Sequence, residues 1–291
     1  MKKERIIERI DWNKVWKSRY IRHTASEGFR DGLHIWNQEE AAHRYDRLSR
    51  QEYGRRVRET LEGLIIPRGG QVLDIGSGPG TLAIPLASHA AAVTAVEPAK
   101  GMSGVFRSAI AQEGIKNIRI VEKKWEDVDP VKDLGGTYDV VIASLSLSFP
   151  DIRAAVEKMQ DVCTGVVNLY WFVDMPFWER NYNEIWPALH GSTYVPGPKV
   201  DCLWMVLLQM GIYPGVKMMT LDKSYRFATK EEMYDHFRDR FGVLGPEKEK
   251  IMRNYLDGIA RVENGTVTIS GDSTYAKIWW KTRGHGRITA C

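Results

Sequence analysis

The stretch VLDIGSGPGTLAIPLA, Val72 to Ala87, decides the fold. An apolar strand ends at Ile75, three glycines follow at alternate positions, and a helix is predicted to begin near Thr81. Glycine accepts positive φ and lets a ligand come close to the backbone. The first turn of a helix leaves N–H groups without a partner inside the helix, which suits a phosphate or a carboxylate. This strand–loop–helix unit therefore predicts a ligand-binding loop.

Short apolar strands and helices alternate after this unit, which predicts a parallel sheet covered on both faces. The predicted strands are Val72–Ile75, Ala92–Val96, Ile118–Glu122, Tyr138–Ala143 and Gly165–Phe172, and the helices between them are Thr81–His89, Met102–Gln112 and Ile152–Met159. Two late strands, Val216–Leu221 and Tyr275–Lys281, are predicted to form an antiparallel pair that closes the sheet. Helices are expected between them, over Thr229–Phe241 and Glu247–Val262.

Two segments lie outside this alternation. Residues 1–60 lack strand signals and place Trp12, Trp16 and Tyr20 on one helical face, which predicts a helical cap. Residues 174–215 are rich in Pro, Trp and Tyr, with one helix expected near Leu203–Met210. We therefore predict a cap over 1–60 and a main domain over 61–291, whose insertion at 174–215 covers the carboxyl edge of the sheet. Plain packing would explain the same aromatic residues equally well.

The spacing of the glycines distinguishes between cofactors. A dinucleotide-binding loop has the form G-x-G-x-x-G, whereas this chain has G-x-G-x-G with an acid two residues before the first glycine. That pattern resembles the first motif of class I S-adenosylmethionine (SAM)-dependent methyltransferases, of the type 11/25 kind. The resemblance implies a Rossmann-like, seven-stranded, mostly parallel sheet with helices on both faces. It also implies that the loop wraps the methionine part of SAM, through Asp74, Gly76, Ser77, Gly78 and Gly80.

The second strand supports a nucleoside site. It ends in Glu97, which lies 21 residues after Gly76, and a carboxylate there can accept hydrogen bonds from both ribose hydroxyls. NAD-dependent enzymes also bind the ribose through a carboxylate at this position, so Glu97 does not distinguish SAM from NAD. The resemblance places Pro98 and Met102 beside the nucleoside, and it places Trp36 and Tyr45 over the cofactor.

The third and fourth strands depart from the family pattern or leave it open. Relatives often place Asp-Ala after the third strand, where this chain has Lys124 and Trp125, and lysine cannot accept a hydrogen bond. We therefore assign adenine recognition to the backbone around Trp125 and Glu126, with stacking by the indole. Ser144 lies at the carboxyl end of the fourth strand, beside the expected methyl donor. The Asn/Asp-Pro-Pro-aromatic motif of many nucleic-acid methyltransferases is absent there, which favours a small-molecule acceptor.

The bulk properties exclude several classes of protein. No apolar run reaches the ~18 residues needed to cross a bilayer, and the start shows no secretory pattern, so we predict a cytoplasmic protein without membrane contact. Residues 1–60 hold 15 Lys/Arg against 10 Asp/Glu, within a net charge of +4, which disfavours a nucleic-acid partner. The three cysteines, Cys163, Cys202 and Cys291, and the seven histidines show no metal-ligand spacing, so no metal is predicted.

The sequence thus predicts a methyltransferase that uses SAM, with S-adenosylhomocysteine as product, on a small molecule with an O, N, C or S nucleophile. A general base is needed only for a protonated acceptor, and the candidates are Tyr20, His190, Tyr194 and Asp201. An RNA or protein methyltransferase, a non-catalytic SAM-binding module and an NAD-linked oxidoreductase stay as alternatives. Monomer and homodimer are both open.

Overall fold

A computed structural model describes residues 9–52 and 54–282. The start of the predicted cap, Tyr53 and the terminus with Cys291 lie outside them. The helices are α1 Trp12–Thr24, α2 Gly32–Trp36, α3 Glu39–Glu52, α4 Gly54–Glu62, α5 Ala83–Leu86, α6 Lys100–Glu113, α7 Ile152–Val162, α8 Phe177–His190, α9 Val200–Gln209, α10 Lys230–Arg240 and α11 Pro246–Ile259. The strands are β1 Gln71–Ile75, β2 Ala92–Val96, β3 Ile118–Val121, β4 Tyr138–Ser144, β5 Cys163–Phe172, β6 Gly215–Phe227, β7 Arg261–Glu263 and β8 Thr266–Lys281.

One sheet runs through the described part of the chain, in the order β3-β2-β1-β4-β5-β8-β6. Strands β1 to β5 pair in parallel, and β8 runs antiparallel between β5 and β6. This confirms the predicted Rossmann-like fold and its antiparallel closure. The short strand β7 pairs with β8 off the main path, so the described sheet has eight strands where seven were expected.

The five parallel strands begin and end within two residues of their predicted bounds, because each is a short apolar run between turn residues. The helix after the glycine loop differs. It was predicted over Thr81–His89 but spans only Ala83–Leu86. Pro85 lies inside it and has no N–H to donate, which interrupts the helical hydrogen-bond series.

The carboxyl-terminal part holds a second core that the sequence analysis missed. Strands β6 and β8 are 13 and 16 residues long, well beyond the predicted bounds. Their far halves pack with α8, α10 and α11 around a buried cluster that includes Phe177, Tyr225 and Phe237. Only one helix was predicted in 174–215, and the structure has two, because α8 turns its apolar face to this cluster.

The amino-terminal helices pack on the main core. Trp16 is fully buried in the same cluster as the sheet residues, and its indole N–H donates to the Phe149 carbonyl over 2.7 Å. Asn13 donates from its side chain to Asp151 over 2.9 Å, at the start of α7. Helix α1 therefore lies against the loop that follows β4. None of the helices within the described residues has the length and apolar character to cross a membrane.

Candidate functional site

A cavity of about 690 Å³ lies at the carboxyl ends of the parallel strands. Its wall includes the loop after β1, the ends of β2, β4 and β5, and parts of α1, α2, α3, α8, β6 and α10. Ligand sites in open α/β sheets lie at this edge, and small-molecule pockets commonly have volumes of ~300 to 1,000 Å³. The cavity is therefore the candidate site.

Most of the predicted cofactor-binding residues meet in this cavity. They are Trp36, Tyr45, Gly76, Gly78, Glu97, Pro98, Met102, Trp125, Glu126 and Ser144. The side chains of Asp74 and Ser77 are buried behind the loop and do not line the cavity. Gly80 packs against Phe106 and faces a separate groove. The structure thus brings these residues together around one space, and their part in binding stays a prediction.

The three loop glycines all have positive φ, at +71°, +57° and +86°. A Cβ on Gly76 would overlap Ser146, and a Cβ on Gly80 would overlap the Phe106 ring. A Cβ on Gly78 would meet nothing within 4 Å, and Gly78 lines the cavity. The outer glycines are thus required by packing, whereas Gly78 keeps the cavity floor open.

Glu97 joins this loop to the end of β2. Its carboxylate accepts the Gly78 and Ala99 backbone N–H groups, each over 2.8 Å, and only 7% of the residue is exposed. Burial raises the pKa of Glu97, while the two N–H groups oppose that shift. A carboxylate has about four lone-pair sites. Two sites therefore stay open for donors in the cavity.

A buried carboxyl and a buried guanidinium lie behind the loop. Asp74 is 2% exposed, and its Oδ2 has no hydrogen-bond partner among the described residues. Burial raises the pKa of Asp74 to about 7, Arg56 lowers it and Glu97 raises it further. Arg56, from α4, also donates to the Ser144 hydroxyl over 2.9 Å and lines the cavity. No sequence motif marks Arg56, which lies 20 residues before the loop.

At the opposite end of the site, Trp36 and Tyr45 pack edge to face with ring centroids 5.1 Å apart. They form a small apolar cluster with Ala99 and Met102 at the start of α6. The cluster places apolar side chains beside Glu97, because the Ala99 N–H donates to that carboxylate. It suits the nucleoside half of a cofactor.

The indole of Trp125 has other partners than a ligand. Its N–H donates to the Ala155 carbonyl over 3.1 Å, and the Lys158 ammonium lies 5.3 Å from the ring centroid. The same ammonium donates hydrogen bonds to the backbone carbonyls of Trp125 and Glu126. The predicted stacking by the indole therefore has one ring face already covered, and the backbone N–H groups here are the better candidates for adenine.

The loop after β4 is held in a strained conformation. Leu145 has φ +58°, which is unfavourable for a residue with a side chain, by ~1 to 2 kcal/mol. Its N–H donates to the Tyr170 carbonyl over 3.0 Å, and the next hydroxyl, of Ser146, donates to the Ile75 carbonyl over 2.6 Å. Such strain concentrates at functional sites. These bonds fix the wall where β1, β4 and β5 meet.

Aromatic side chains and a buried ion pair form the far wall of the cavity. The aromatic residues there are Trp171, Phe172, Trp178, Tyr182, Trp186 and Tyr194. Lys199 and Glu179 pair over 2.8 Å, with side chains only 10% and 12% exposed. The Trp171 indole donates to the Pro198 carbonyl over 2.8 Å, which ties this wall to the end of β5.

The candidate bases are placed differently from one another. Tyr20 and Tyr194 line the cavity, but burial raises the pKa of both phenols, so they stay neutral at pH 7. His190 does not line it, and its Nε2 lies 2.8 Å from the Phe241 carbonyl. Asp201 pairs with Arg19 over 2.7 Å. None of these four is an obvious proton acceptor in the cavity.

His23 was missed as a candidate base. It lines the cavity, and its Nδ1 lies 2.7 Å from the Val195 carbonyl, which can only accept. That contact places the proton on Nδ1 and leaves the Nε2 lone pair available in the neutral ring. Burial lowers the pKa of His23, although the Val195 bond and Glu179 oppose the shift. The ring is therefore neutral near pH 7 and can accept a proton.

Comparisons with known proteins agree with this geometry. Residues 72–165 match a family model described as a methyltransferase domain. The chain is 25% identical over 224 residues to an uncharacterized protein of Haemophilus influenzae, covering 76% of this chain and 80% of that protein. It is 38% identical over 82 residues to an arginine N(omega)-methyltransferase of Streptomyces achromogenes, covering 28% of this chain but only 23% of that protein.

Solved structures share the fold. A Bacillus halodurans protein described as a methyltransferase has a TM-score of 0.55 and 17% identity, covering 79% of this chain and 99% of its own. The matched model spans the glycine loop, Glu97, the loop before Trp125 and the end of β4, which are the parts that meet at the cavity. Residues 72–165 therefore form a methyltransferase domain, and the chain shares its fold with a solved protein described as a methyltransferase.

Proposed function

We propose that this methyltransferase acts on a small molecule held inside the cavity. The observation that carries the proposal is the continuity of that cavity. One space of about 690 Å³ is lined at one end by the glycine loop and Glu97, and at the other by the aromatic wall. A concave pocket of this size suits a compact acceptor.

The cofactor end offers complementary groups for each part of SAM. The open floor at Gly78 suits the amino-acid end, and the carboxyl of Asp74 lies behind the loop, where it acts on that end through its charge. Arg56 supplies a buried positive charge beside them for a carboxylate. The free lone pairs of Glu97 suit the ribose hydroxyls, and the cluster of Trp36 and Met102 suits the base. The residues present therefore fit the cofactor.

The acceptor end aligns and shields the reaction. SAM, when bound, supplies an activated methyl group, so the protein's work is to hold the acceptor in line and to exclude water. Residues of α1 and of the 174–215 segment, together with β6 and α10, line the space above the sheet. His23 is placed to take a proton from an acceptor that carries one.

Glu97→Ala should weaken binding of S-adenosylhomocysteine by ~1.5 to 3 kcal/mol, as expected for the loss of charge-assisted hydrogen bonds. Isothermal titration calorimetry measures this, and NAD should give no binding heat. Glu122→Ala is the matched control, because Glu122 directly follows β3 but lies outside the cavity lining. Binding of NAD without binding of S-adenosylhomocysteine would overturn the proposal.

Ligand should protect the segments above the sheet from amide hydrogen exchange. With S-adenosylhomocysteine bound, we expect slower exchange in residues 32–45 and, with an acceptor also present, in 177–199. Helix α11 does not line the cavity and should not respond. Exchange is preferable to deleting residues 1–30, because that deletion removes the fully buried Trp16 from the main core. Unchanged exchange rates in both segments would show that they pack on the protein without contacting a ligand.

A further inference from the structure

Four basic side chains line the cavity and have no part in the roles proposed above. Arg44 comes from α3, Lys223 from β6, and His236 and Arg240 from α10. We name this set the basic wall. His236 and Arg240 are four residues apart on one helix, so they lie on the same face. Lys223 shares its strand face with the buried Leu221, Tyr225 and Phe227.

Aromatic rings hold these cations. The Lys223 ammonium lies 4.7 Å from the Trp178 ring centroid and 4.6 Å from that of Tyr225. The Tyr225 ring in turn lies 5.1 Å from the His236 ring. The Arg240 guanidinium lies 5.1 Å from the Trp36 ring. Contacts of this kind keep a cation in place at a partly desolvated surface.

The imidazole of His236 is buried close to the positive charges of this wall. It is 5% exposed, and its Nε2 has no hydrogen-bond partner among the described residues. Burial lowers the pKa of His236 well below its ordinary value, and Arg240, Arg44 and Lys223 lower it further. Three positive charges therefore act on one buried point that is itself neutral at pH 7.

The acids nearby do not cancel this charge. Glu40, Asp235 and Asp239 also line the cavity, but all three are exposed, where solvent screens them. Asp235 is paired with Arg238 outside the wall. Within the described residues, no ion pair joins Arg44 or Arg240 to a carboxylate. Arg44 and Arg240 thus bring positive charge to a cavity whose far wall is aromatic.

We propose that the basic wall binds an anionic oxygen group, a carboxylate or a phosphate, carried by a flat methyl acceptor. This inference rests on the proposed function, because the acceptor must lie in the same cavity as the cofactor. The oxyanion would meet Lys223 and Arg240, and the ring would lie among Trp178, Tyr182 and Trp186. An oxyanion surrounded by cations and shielded from water binds more tightly than its neutral isostere.

Direct binding tests this without turnover. The probes are 2-naphthoate, 2-naphthyl phosphate and 2-naphthamide, titrated into the protein saturated with S-adenosylhomocysteine at fixed ionic strength. We expect at least one anion to bind tenfold or more tightly than the amide. The better anion identifies the oxyanion.

Variants then locate the site. Lys223→Met and Arg240→Met should each remove most of the preference for the anion, while affinity for the amide changes less than threefold. Arg226→Met is the matched control, because Arg226 is on the same strand as Lys223 but on its exposed face. Equal affinity for amide and anions, no binding of any probe, or the same loss in Arg226→Met would overturn the proposal. Affinity for S-adenosylhomocysteine is measured in every variant, so failure of cofactor binding, which concerns the proposed function, is seen separately.

Discussion

Replacing Gly78 by valine should abolish binding of S-adenosylhomocysteine, by at least a hundredfold in Kd, while the chain stays folded. The Cβ of residue 78 points into open space and would meet no protein atom within 4 Å. Its methyl groups would therefore fill cavity volume next to Glu97 rather than clash with the core. Positive φ adds a backbone cost of ~1 to 2 kcal/mol, which a domain of this size can tolerate. Isothermal titration calorimetry measures the affinity, and a thermal unfolding transition shows whether the variant is folded.

Gly114→Val is the control for that backbone cost. Gly114 follows α6 with φ +65°, is exposed, and also has no atom within 4 Å of a Cβ. It should lose similar stability and keep its affinity. If Gly78→Val binds normally, the loop does not contact the cofactor. If both variants lose affinity equally, the effect is one of stability alone.

The parallel half of the fold could be predicted because its signals are local. Each strand from β1 to β5 is an apolar run bounded by turn residues. The same applies to the site residues on those strand ends. Gly76 and Glu97 each follow a strand and Ser144 is the last residue of one, and parallel strands end at one edge of a sheet.

The second core could not be predicted by the same reasoning. Helix α8 contains Pro187 and four aromatic residues, which suggested an insertion rather than a regular helix. Its helical period was present nonetheless, since Phe177, Ile185 and Leu189 are spaced at multiples of four and are buried in the cluster. Tertiary packing overrode the local composition there.

The missed site residues come from segments far apart in the chain. His23, Arg56 and Lys223 lie on different elements, and none has a motif around it. The sequence pattern around Lys223 was a usable signal. Side chains alternate between the two faces of a strand, and Lys223 interrupts the face on which the other residues are apolar. For His23 the decisive fact is the contact with Val195, which is 172 residues away and visible only in three dimensions.

Asp74 should make the stability of the ligand-free protein depend on pH, and Asp74→Asn should remove the part due to this carboxyl and leave that of Glu97, whose pKa is also raised. Burial raises the pKa of Asp74 to about 7 from 3.8 in the unfolded chain. Between these values the folded state holds a proton that the unfolded state releases, so stability falls as pH rises from about 4 to about 7. At ~1.36 kcal/mol per pKa unit the full effect is ~4 kcal/mol relative to the asparagine variant.

Urea unfolding of both proteins at several pH values between 5 and 8 measures this difference. Asp161→Asn, an exposed change at the end of α7, should leave the wild-type profile unaltered.

Binding of the ligand should depend on pH in the opposite direction. A ligand ammonium in the cavity, on the other side of the loop, favours the ionised carboxylate of Asp74, so affinity for S-adenosylhomocysteine should rise with pH near 7 in the wild type and rise less in Asp74→Asn. Parallel pH profiles for the wild type and Asp74→Asn, in both stability and affinity, would show that Asp74 is ionised throughout. The amino-acid end of the cofactor would then have to be bound by other groups, with Arg56 and the loop N–H groups the first to examine.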